Sequence, residues 1–138
     1  MKHKDLKTKT RERPWHELDA TNIALGRLAT QASILLRGKQ DVNFKAHLDT
    51  GGHVVITNLD KVRITGNKLK DKFYYSHSGY LGNLKSKPLS ELGVVKGLEK
   101  AVYGMLPVNK LRDHWIKRLH IYLDDNHPHK ANLAGSPR

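Results

Sequence analysis

The most regular stretch of the chain is an apolar stripe between residues 25 and 36. Leucine and alanine recur there at three- and four-residue spacing, the period of an amphipathic helix, at Leu25, Leu28, Ala29, Ala32, Leu35 and Leu36. Gly38 follows the stripe, where a glycine commonly ends a helix. Asn22 precedes it, where an N-cap residue is expected. The pattern therefore predicts one well-formed helix, capped by Asn22 and ended by Gly38.

Three short runs in the same half of the chain predict strands. Residues 15–20 alternate between polar and apolar side chains, as a half-buried strand does. Residues 53–57 form a β-branched apolar run that suits a strand covered on both faces. Residues 62–65 alternate again and predict a further half-buried strand. The first strand, the helix and the second strand would form one β-α-β unit, normally right-handed.

The C-terminal half predicts shorter elements. Pro88 is placed in the first turn of a short helix, and a better helix precedes Pro107, with an apolar stripe at Leu98, Ala101, Val102 and Met105. Met105 is expected to fill the core. Leu111, Trp115 and Leu119 share one helical face, so core packing is expected for Trp115 rather than stacking on a base. Residues 120–123 alternate and predict the last strand.

Charge is distributed unevenly along the 138 residues. The net charge is +12, with +4 in residues 1–13, −1 in residues 14–60, +6 in residues 61–87 and +3 in residues 110–138. Soluble surfaces usually mix the two signs, so this segregation favours a polyanionic partner such as nucleic acid. A membrane surface is disfavoured, because no segment joins a basic face to a strongly apolar one.

The same composition bounds the organisation of the chain. Its length predicts one domain, at residues 14–126, between a basic N-terminal arm at 1–13 and a C-terminal tail at 127–138. The arm is expected to be disordered when free, and it is either a solubilising tail or a segment that orders on RNA. The chain has no cysteine and no apolar run of about 18 residues. The absence of a signal-like N-terminus predicts a cytoplasmic protein.

The chemistry-bearing stretch runs from Gly66 to Lys87. Lysines alternate there with tyrosines, histidine and glycines, and only one acid interrupts them. Such a mixture can neutralise phosphates, stack on bases and bring the backbone close to RNA. At least one of the tyrosines is nevertheless expected to pack against the protein.

Two other kinds of site were considered. His47, Asp49 and His53 have the composition of a metal cluster, but Asp49-Thr50-Gly51-Gly52 is more typical of a turn in which a glycine takes positive φ. A nucleotide enzyme is disfavoured, since the first strand–helix turn lacks G-x-G-x-x-G and no Gly-Lys is followed by Ser or Thr. No enzyme activity, cofactor or small-molecule substrate is expected.

A family resemblance emerges from several motifs in one order. Residues 65–82 read T-G-N-K-x-x-x-K-x-Y-Y-x-H-S-G-Y-x-G, which resembles the hallmark of the large-subunit ribosomal protein L-thirteen family, bacterial type. L-G-R-L-A at 25–29, L-R-G-K at 36–39, H-x-D-x-G at 47–51 and A-V-x-G-M-L-P at 101–107 agree with it. This chain departs from the family pattern at Arg112-Asp113, where Gly-Arg is usual, and at Tyr103, often basic.

The resemblance implies a fold and a role. The fold would be α/β, three-layer α/β/α with a small, mostly parallel sheet of about four strands. The role would be that of a structural constituent of the large ribosomal subunit that binds its ribosomal RNA, supports early assembly and contacts neighbouring ribosomal proteins, without homo-oligomerisation. The alternative is a messenger-RNA-binding translational repressor, because a surface that fits ribosomal RNA can also fit a mimic of it.

The charge pattern and the resemblance together predict which residues contact RNA. Most are cationic, and the others are tyrosines, histidines and small residues of the central stretch. The predicted contacts are Arg27, Arg37, Lys39, Lys45, His47, Lys61, Arg63, Asn67, Lys68, Lys70, Lys72, Tyr74, Tyr75, His77, Ser78, Gly79, Tyr80, Lys85, Lys87, Lys110, Arg112, Lys117, Arg118, His127 and His129.

Overall fold

The computed structural model describes residues 13–134, so most of the predicted N-terminal arm lies outside the described residues. Its strands β1–β5 are Trp15–Asp19, His53–Thr57, Phe73–His77, Leu84–Pro88 and Leu119–Ile121. Its helices α1–α6 are Leu25–Arg37, Lys68–Asp71, Leu89–Leu92, Val94–Met105, Arg112–Ile116 and Lys130–Ala134. A short 3₁₀ turn covers Leu59–Lys61. Within this range, no helix is long and apolar enough to cross a membrane.

The described strands form two separate sheets. The first is parallel, in the order β1-β2-β5, and the second is the antiparallel hairpin β3-β4. In the parallel sheet, Trp15 pairs with His53, and Val55 pairs with His120. The β-branched run of β2 occupies the middle position, which explains why Val54, Val55 and Ile56 are fully buried.

The core lies where α1 and α4 pack together over this sheet. The stripe of α1 contributes Leu28, Ala29, Ala32 and Leu36, and α4 contributes Leu98 and Val102. Trp115 of α5 joins this cluster and is buried, as predicted. The prediction of α1 is confirmed, and Gly38 ends it in the left-handed conformation, with φ of 75°.

The glycines at 51 and 52 have a different role from the predicted one. Neither has a positive φ. A Cβ atom on Gly51 would instead collide with the carbonyl oxygen of Leu36, and one on Gly52 would collide with the carbonyl oxygen of Pro14. The pair therefore lets the chain pass tightly between the end of α1 and the start of β1.

Several predicted boundaries were wrong. The strand expected at residues 62–65 is reduced to a single bridge between Ala24 and Arg63, so the parallel sheet of the described chain has three strands rather than about four. Asn22 lies in a turn with φ of 58°, and Ala24 occupies the N-cap position of α1 without a side-chain hydrogen bond. The short helix expected around Pro88 is present as α3, but Pro88 is its N-cap and the last residue of β4, one position before the first turn.

Met105 was also misplaced by the sequence pattern. It is the last residue of α4 and remains 42% exposed. Its sulfur lies 3.5 Å from the hydroxyl of Thr30 on α1. Val102 is the last residue of α4 in the core, and the next core position is taken by Leu106, directly after the helix, instead of by Met105.

Candidate nucleic-acid interface

The hairpin β3-β4 and its flanking turns project a cationic surface into solvent. We call residues 66–88 the hairpin lobe. Apart from Tyr74 and Pro88, all of its residues are exposed. Its lysines are Lys68, Lys70, Lys72, Lys85 and Lys87. In the part of the chain that the structure describes, one ion pair involves them, between Lys87 and Glu91 at 3.4 Å on the exposed surface. Most of the lobe's positive charge is therefore left for a partner.

The tyrosines of the lobe divide into two kinds. Tyr75 and Tyr80 are 64% and 76% exposed. Tyr74 is half-buried, and its hydroxyl lies 3.8 Å from the position that a Cβ atom on Gly97 of α4 would occupy. Tyr74 therefore docks the hairpin on α4, in keeping with the expectation that one tyrosine packs against the protein, while Tyr75 and Tyr80 are available for stacking.

The tip of the hairpin depends on two glycines. Gly79 has φ of 93° and Gly82 has φ of 76°, a region that side-chain-bearing residues rarely adopt. The backbone N–H of Gly79 donates to Nδ1 of His77 at 2.9 Å. The predicted glycines thus shape the turn, and no Cβ covers the backbone at these two positions.

Outside the lobe, the other predicted contacts are mostly exposed cations. The exposed ones are Arg27, Lys39, Lys45, His47, Lys61, Arg63, Lys110 and Lys117. Arg37 is half-buried, with its guanidinium carbon 5.8 Å from the Phe44 ring centre and 5.9 Å from that of Trp115. It therefore has aromatic partners within the protein.

Arg118 is placed differently from its prediction as an RNA contact. It is only 7% exposed, and both terminal nitrogens of its guanidinium donate to the Asp49 carboxylate at 2.7 Å. Nε1 of Trp115 donates to the same carboxylate at 2.9 Å, and Arg13 pairs with it at 3.1 Å. Asp49 is therefore the centre of an internal ion-pair network.

This network also bears on the metal alternative. His47 is exposed, whereas the Asp49 oxygens are occupied by the donors of Arg118, Trp115 and Arg13. Residues 13–134 contain no group of three His, Cys, Asp or Glu arranged to hold a metal ion. The predicted turn at residues 49–52 is also wrong, because these residues form no turn and the Asp49 carboxylate accepts from Trp115 and Arg118 rather than from its own backbone.

The ionisation of Asp49 should make stability depend on pH. Burial of the carboxyl opposes ionisation, but the hydrogen bonds and charge of Arg118, with help from Trp115 and Arg13, lower the pKa of Asp49 to about 2. Because this value lies below the ordinary 3.8 of the unfolded chain, the stabilisation is present above about pH 4 and is lost as the pH falls towards 2.

We expect the loss of stability between pH 4 and pH 2 that is due to Asp49 to be absent in Asp49→Asn. Urea unfolding of both proteins between pH 6 and pH 2 would measure it. The stability advantage of the wild type over Asp49→Asn should shrink as the pH falls from about 4 to 2. An advantage that stays constant through this range would contradict the assigned ionisation.

His127 and His129 are held against the parallel sheet. Nε2 of His127 lies 3.5 Å from Oε1 of Glu17, and His127 is only 6% exposed. The ring centre of His129 lies 5.0 Å from that of Trp15 and 4.4 Å from that of His120. The first part of the predicted C-terminal tail therefore covers the sheet with its aromatic rings and continues into α6.

Comparison with known proteins gives a consistent result over nearly the whole chain. The family model described as Ribosomal protein L13 matches residues 13–128. The chain belongs to the ribosomal protein L13 family. This finding agrees with the resemblance drawn from the motifs at 25–39, 47–51, 65–82 and 101–107.

Three similar curated proteins each carry the name "Large ribosomal subunit protein uL13". That of Kocuria rhizophila is 48% identical over 123 residues, covering 87% of this chain and 84% of the relative. That of Rhodococcus opacus is 51% identical, covering 86% and 83%. That of Trichlorobacter lovleyi is 46% identical, covering 95% and 94%.

The two departures from the ribosomal protein L13 pattern lie in contact with each other. The guanidinium carbon of Arg112 is 4.2 Å from the ring centre of Tyr103, a cation–π geometry. Nη2 of Arg112 donates to the Leu106 carbonyl oxygen at 3.1 Å, and its Nε donates to that of Pro107 at 3.3 Å. Arg112 therefore stabilises the turn after α4, which gives it a role inside the protein.

Lys100 is a cation that the sequence analysis missed. It lies on α4, but its Nζ is 5.5 Å from the ring centre of Tyr74 on the hairpin. Its neighbours in the sequence, Glu99 and Ala101, carry no hint of RNA binding. Only the packing of the hairpin on α4 brings Lys100 to the cationic surface, so no local signal in the sequence could have found it.

Proposed function

We propose that this protein is a structural, RNA-binding component of the large ribosomal subunit. The observation that carries the proposal is the hairpin lobe, where exposed lysines and tyrosines surround a glycine tip and have few acidic partners among the described residues. The name shared by the curated relatives supports the same subunit. The protein would act by binding and shaping RNA, without covalent chemistry.

The proposed mechanism is electrostatic anchoring combined with local stacking. Lysines of the lobe neutralise phosphates and release counterions, which makes affinity fall steeply with salt. Tyr75 and Tyr80 offer exposed rings on which unpaired bases can stack. The backbone at Gly79 and Gly82 lacks a covering Cβ and can approach the RNA closely.

The proposed interface extends from the lobe to the exposed cations around it. Arg118 and His127 are excluded from it because they are buried with partners of their own. Arg37, Arg112 and His129 would contribute through the packing that they support. Asn67, His77 and Ser78 remain proposed contacts within the lobe, and all three are exposed.

The proposal also covers the setting in which the protein works. It would act early in subunit assembly, in the cytoplasm, next to other large-subunit proteins and without forming a homo-oligomer. The fold would be three-layered, with α1 and α4 on one face of the sheet and the segment from His127 to α6 on the other. The contacts of His127 with Glu17 and of His129 with Trp15 support the second layer.

The RNA that the protein carries in cells tests this function directly. We expect an affinity-tagged version, recovered from cells and washed at physiological salt, to retain large-subunit ribosomal RNA as its dominant RNA on sequencing. Deleting residues 66–88 would also remove the docking of Tyr74 on α4, so a deletion variant is unsuitable as a control. The double variant Tyr75→Ala with Tyr80→Ala leaves that docking intact and serves in its place. A single dominant messenger RNA would contradict the structural role and favour the translational repressor.

A further inference from the structure

A groove opens where the hairpin lobe meets the helical layer. It lies between the start of α1, the bridge segment 63–65, Tyr74 and the C-terminal half of α4. Its volume of about 360 Å³ falls within the range of roughly 300–1,000 Å³ that small-molecule and cofactor sites occupy. The groove is therefore large enough for a group of about the size of one nucleotide.

Cations surround this groove without acidic partners. Its lining includes Arg63, Lys68, Lys72 and Lys100, which come from three separate segments, and it includes no Asp or Glu. None of these four cations takes part in an ion pair with another residue of the described chain. Bringing them together costs electrostatic energy that an anion in the groove would offset.

The inner wall is apolar and aromatic. Leu25, Ile64 and Leu89 contribute aliphatic surface beside the Tyr74 ring. Nζ of Lys72 and Nζ of Lys100 lie 5.8 Å and 5.5 Å from the centre of that ring. Burial raises the pKa of Tyr74, so its hydroxyl stays protonated. The groove thus combines apolar and aromatic surface with four cationic side chains.

We propose that this groove receives a single unpaired nucleotide of the bound RNA. The base would lie against the apolar wall beside Tyr74, and the adjoining phosphates would be held by Lys68, Lys72 and Lys100. RNA is the occupant that fits, because Lys68 and Lys72 belong both to the groove and to the cationic surface of the hairpin lobe, so a strand bound on the lobe brings its phosphates to the groove. This inference rests on the proposed RNA-binding function and assigns one position within it.

Two glycines make it possible to fill the groove without removing charge. Gly26 of α1 and Gly104 of α4 both line it. A Cβ atom at either position meets nothing within 4 Å, and neither residue has a positive φ. Gly26→Leu and Gly104→Leu should therefore fold and place an apolar side chain in the groove. Gln31→Leu adds the same side chain to an exposed position of α1 outside the groove and serves as the matched control.

Binding of these variants to deproteinised large-subunit RNA, measured over a range of salt concentrations, tests the proposal. We expect Gly26→Leu and Gly104→Leu to bind about 5- to 100-fold more weakly than the wild type, as expected for the loss of one stacked base. Their salt slope should stay unchanged because no charge is removed. Gln31→Leu should bind as the wild type does, and thermal melting should show that all three variants are folded.

Ultraviolet crosslinking supplies a second readout. The wild-type peptide that contains Tyr74 should carry a one-nucleotide mass addition that both groove variants lose. Unchanged affinity in folded Gly26→Leu and Gly104→Leu would overturn the proposal. If these variants bound RNA normally but failed to enter subunits, the groove would be occupied by a protein segment instead of a nucleotide, which would also overturn it. If the wild type itself did not bind the RNA, the proposed function would fail instead.

Discussion

Replacing Asp49 by alanine is expected to lower the free energy of unfolding by about 3 kcal/mol, the lower end of the cost of removing one partner of a buried ion pair, because the Asp49 side chain is itself 18% exposed. Arg118 is only 7% exposed and has its two strongest hydrogen bonds with this carboxylate. Without Asp49, a buried guanidinium would keep its charge and lose its counterion. The indole N–H of Trp115 would lose its acceptor as well.

Urea unfolding at pH 7 would measure this effect. Asp125→Ala is the matched control, since Asp125 is exposed, and its effect should stay within about 0.5 kcal/mol. Adding Arg118→Met to Asp49→Ala should recover part of the lost stability, because the double variant no longer buries a charge without a partner. An Asp49→Ala protein as stable as Asp125→Ala would show that the ion-pair network around Asp49 does not stabilise the fold.

The elements that could be predicted are those whose signal is local. The stripe of α1 and the β-branched run of β2 each specify both a conformation and a buried face, so the periodic pattern was sufficient. Residues 62–65 carry an equally good alternation, but a strand needs a partner along its whole length. Here the segment meets only the loop before α1, at Ala24, and a single bridge results.

The candidate interface also contains residues whose placement the sequence could predict and residues whose placement it could not. The hairpin lobe could be predicted because its lysines, tyrosines and glycines are consecutive in the sequence and lie on one exposed hairpin. Arg118 has the same composition signal as Lys117, yet one is buried and the other exposed. What separates them is Asp49, 69 positions away in the chain, and no count of local charge contains that information.

Residues 49–52, which were predicted to form a turn and do not, show a third kind of limit. Glycine after Asp is typical of a turn with positive φ, and the sequence offered no reason to expect anything else. The structure instead uses Gly51 because the backbone of Leu36 leaves no room for a side chain. A close approach between two distant segments depends on the packed fold and has no signature in either segment.

Replacing Lys68, Lys70 and Lys72 together by alanine should strongly weaken binding to large-subunit RNA. All three side chains are exposed and none is ion-paired with another residue in the range 13–134, so the fold should be unaffected. Each phosphate contact contributes about 0.7–0.9 to the salt slope, so the slope should fall by about 2–3. If the plots of log affinity against log salt for the two proteins meet near 1 M salt, the triple variant should bind about 10²- to 10³-fold more weakly at about 0.1 M salt.

Lysines outside the proposed interface provide the control for this variant. Lys96 of α4 and Lys130 of α6 are exposed, and neither is among the proposed contacts. Replacing both by alanine lowers the net charge by two without touching the hairpin lobe. The change in salt slope per lysine should therefore be clearly smaller in this control than in the triple variant.

The salt dependence of RNA binding tests the central claim most directly. Affinities of the wild type and of the Lys68, Lys70 and Lys72 triple variant for deproteinised large-subunit RNA would be measured from about 0.05 to 0.5 M monovalent salt. We predict a steep line for the wild type and a flatter, lower line for the triple variant, with unchanged thermal melting. Two superimposed lines would contradict the claim that the exposed lysines of the hairpin lobe hold the protein on RNA.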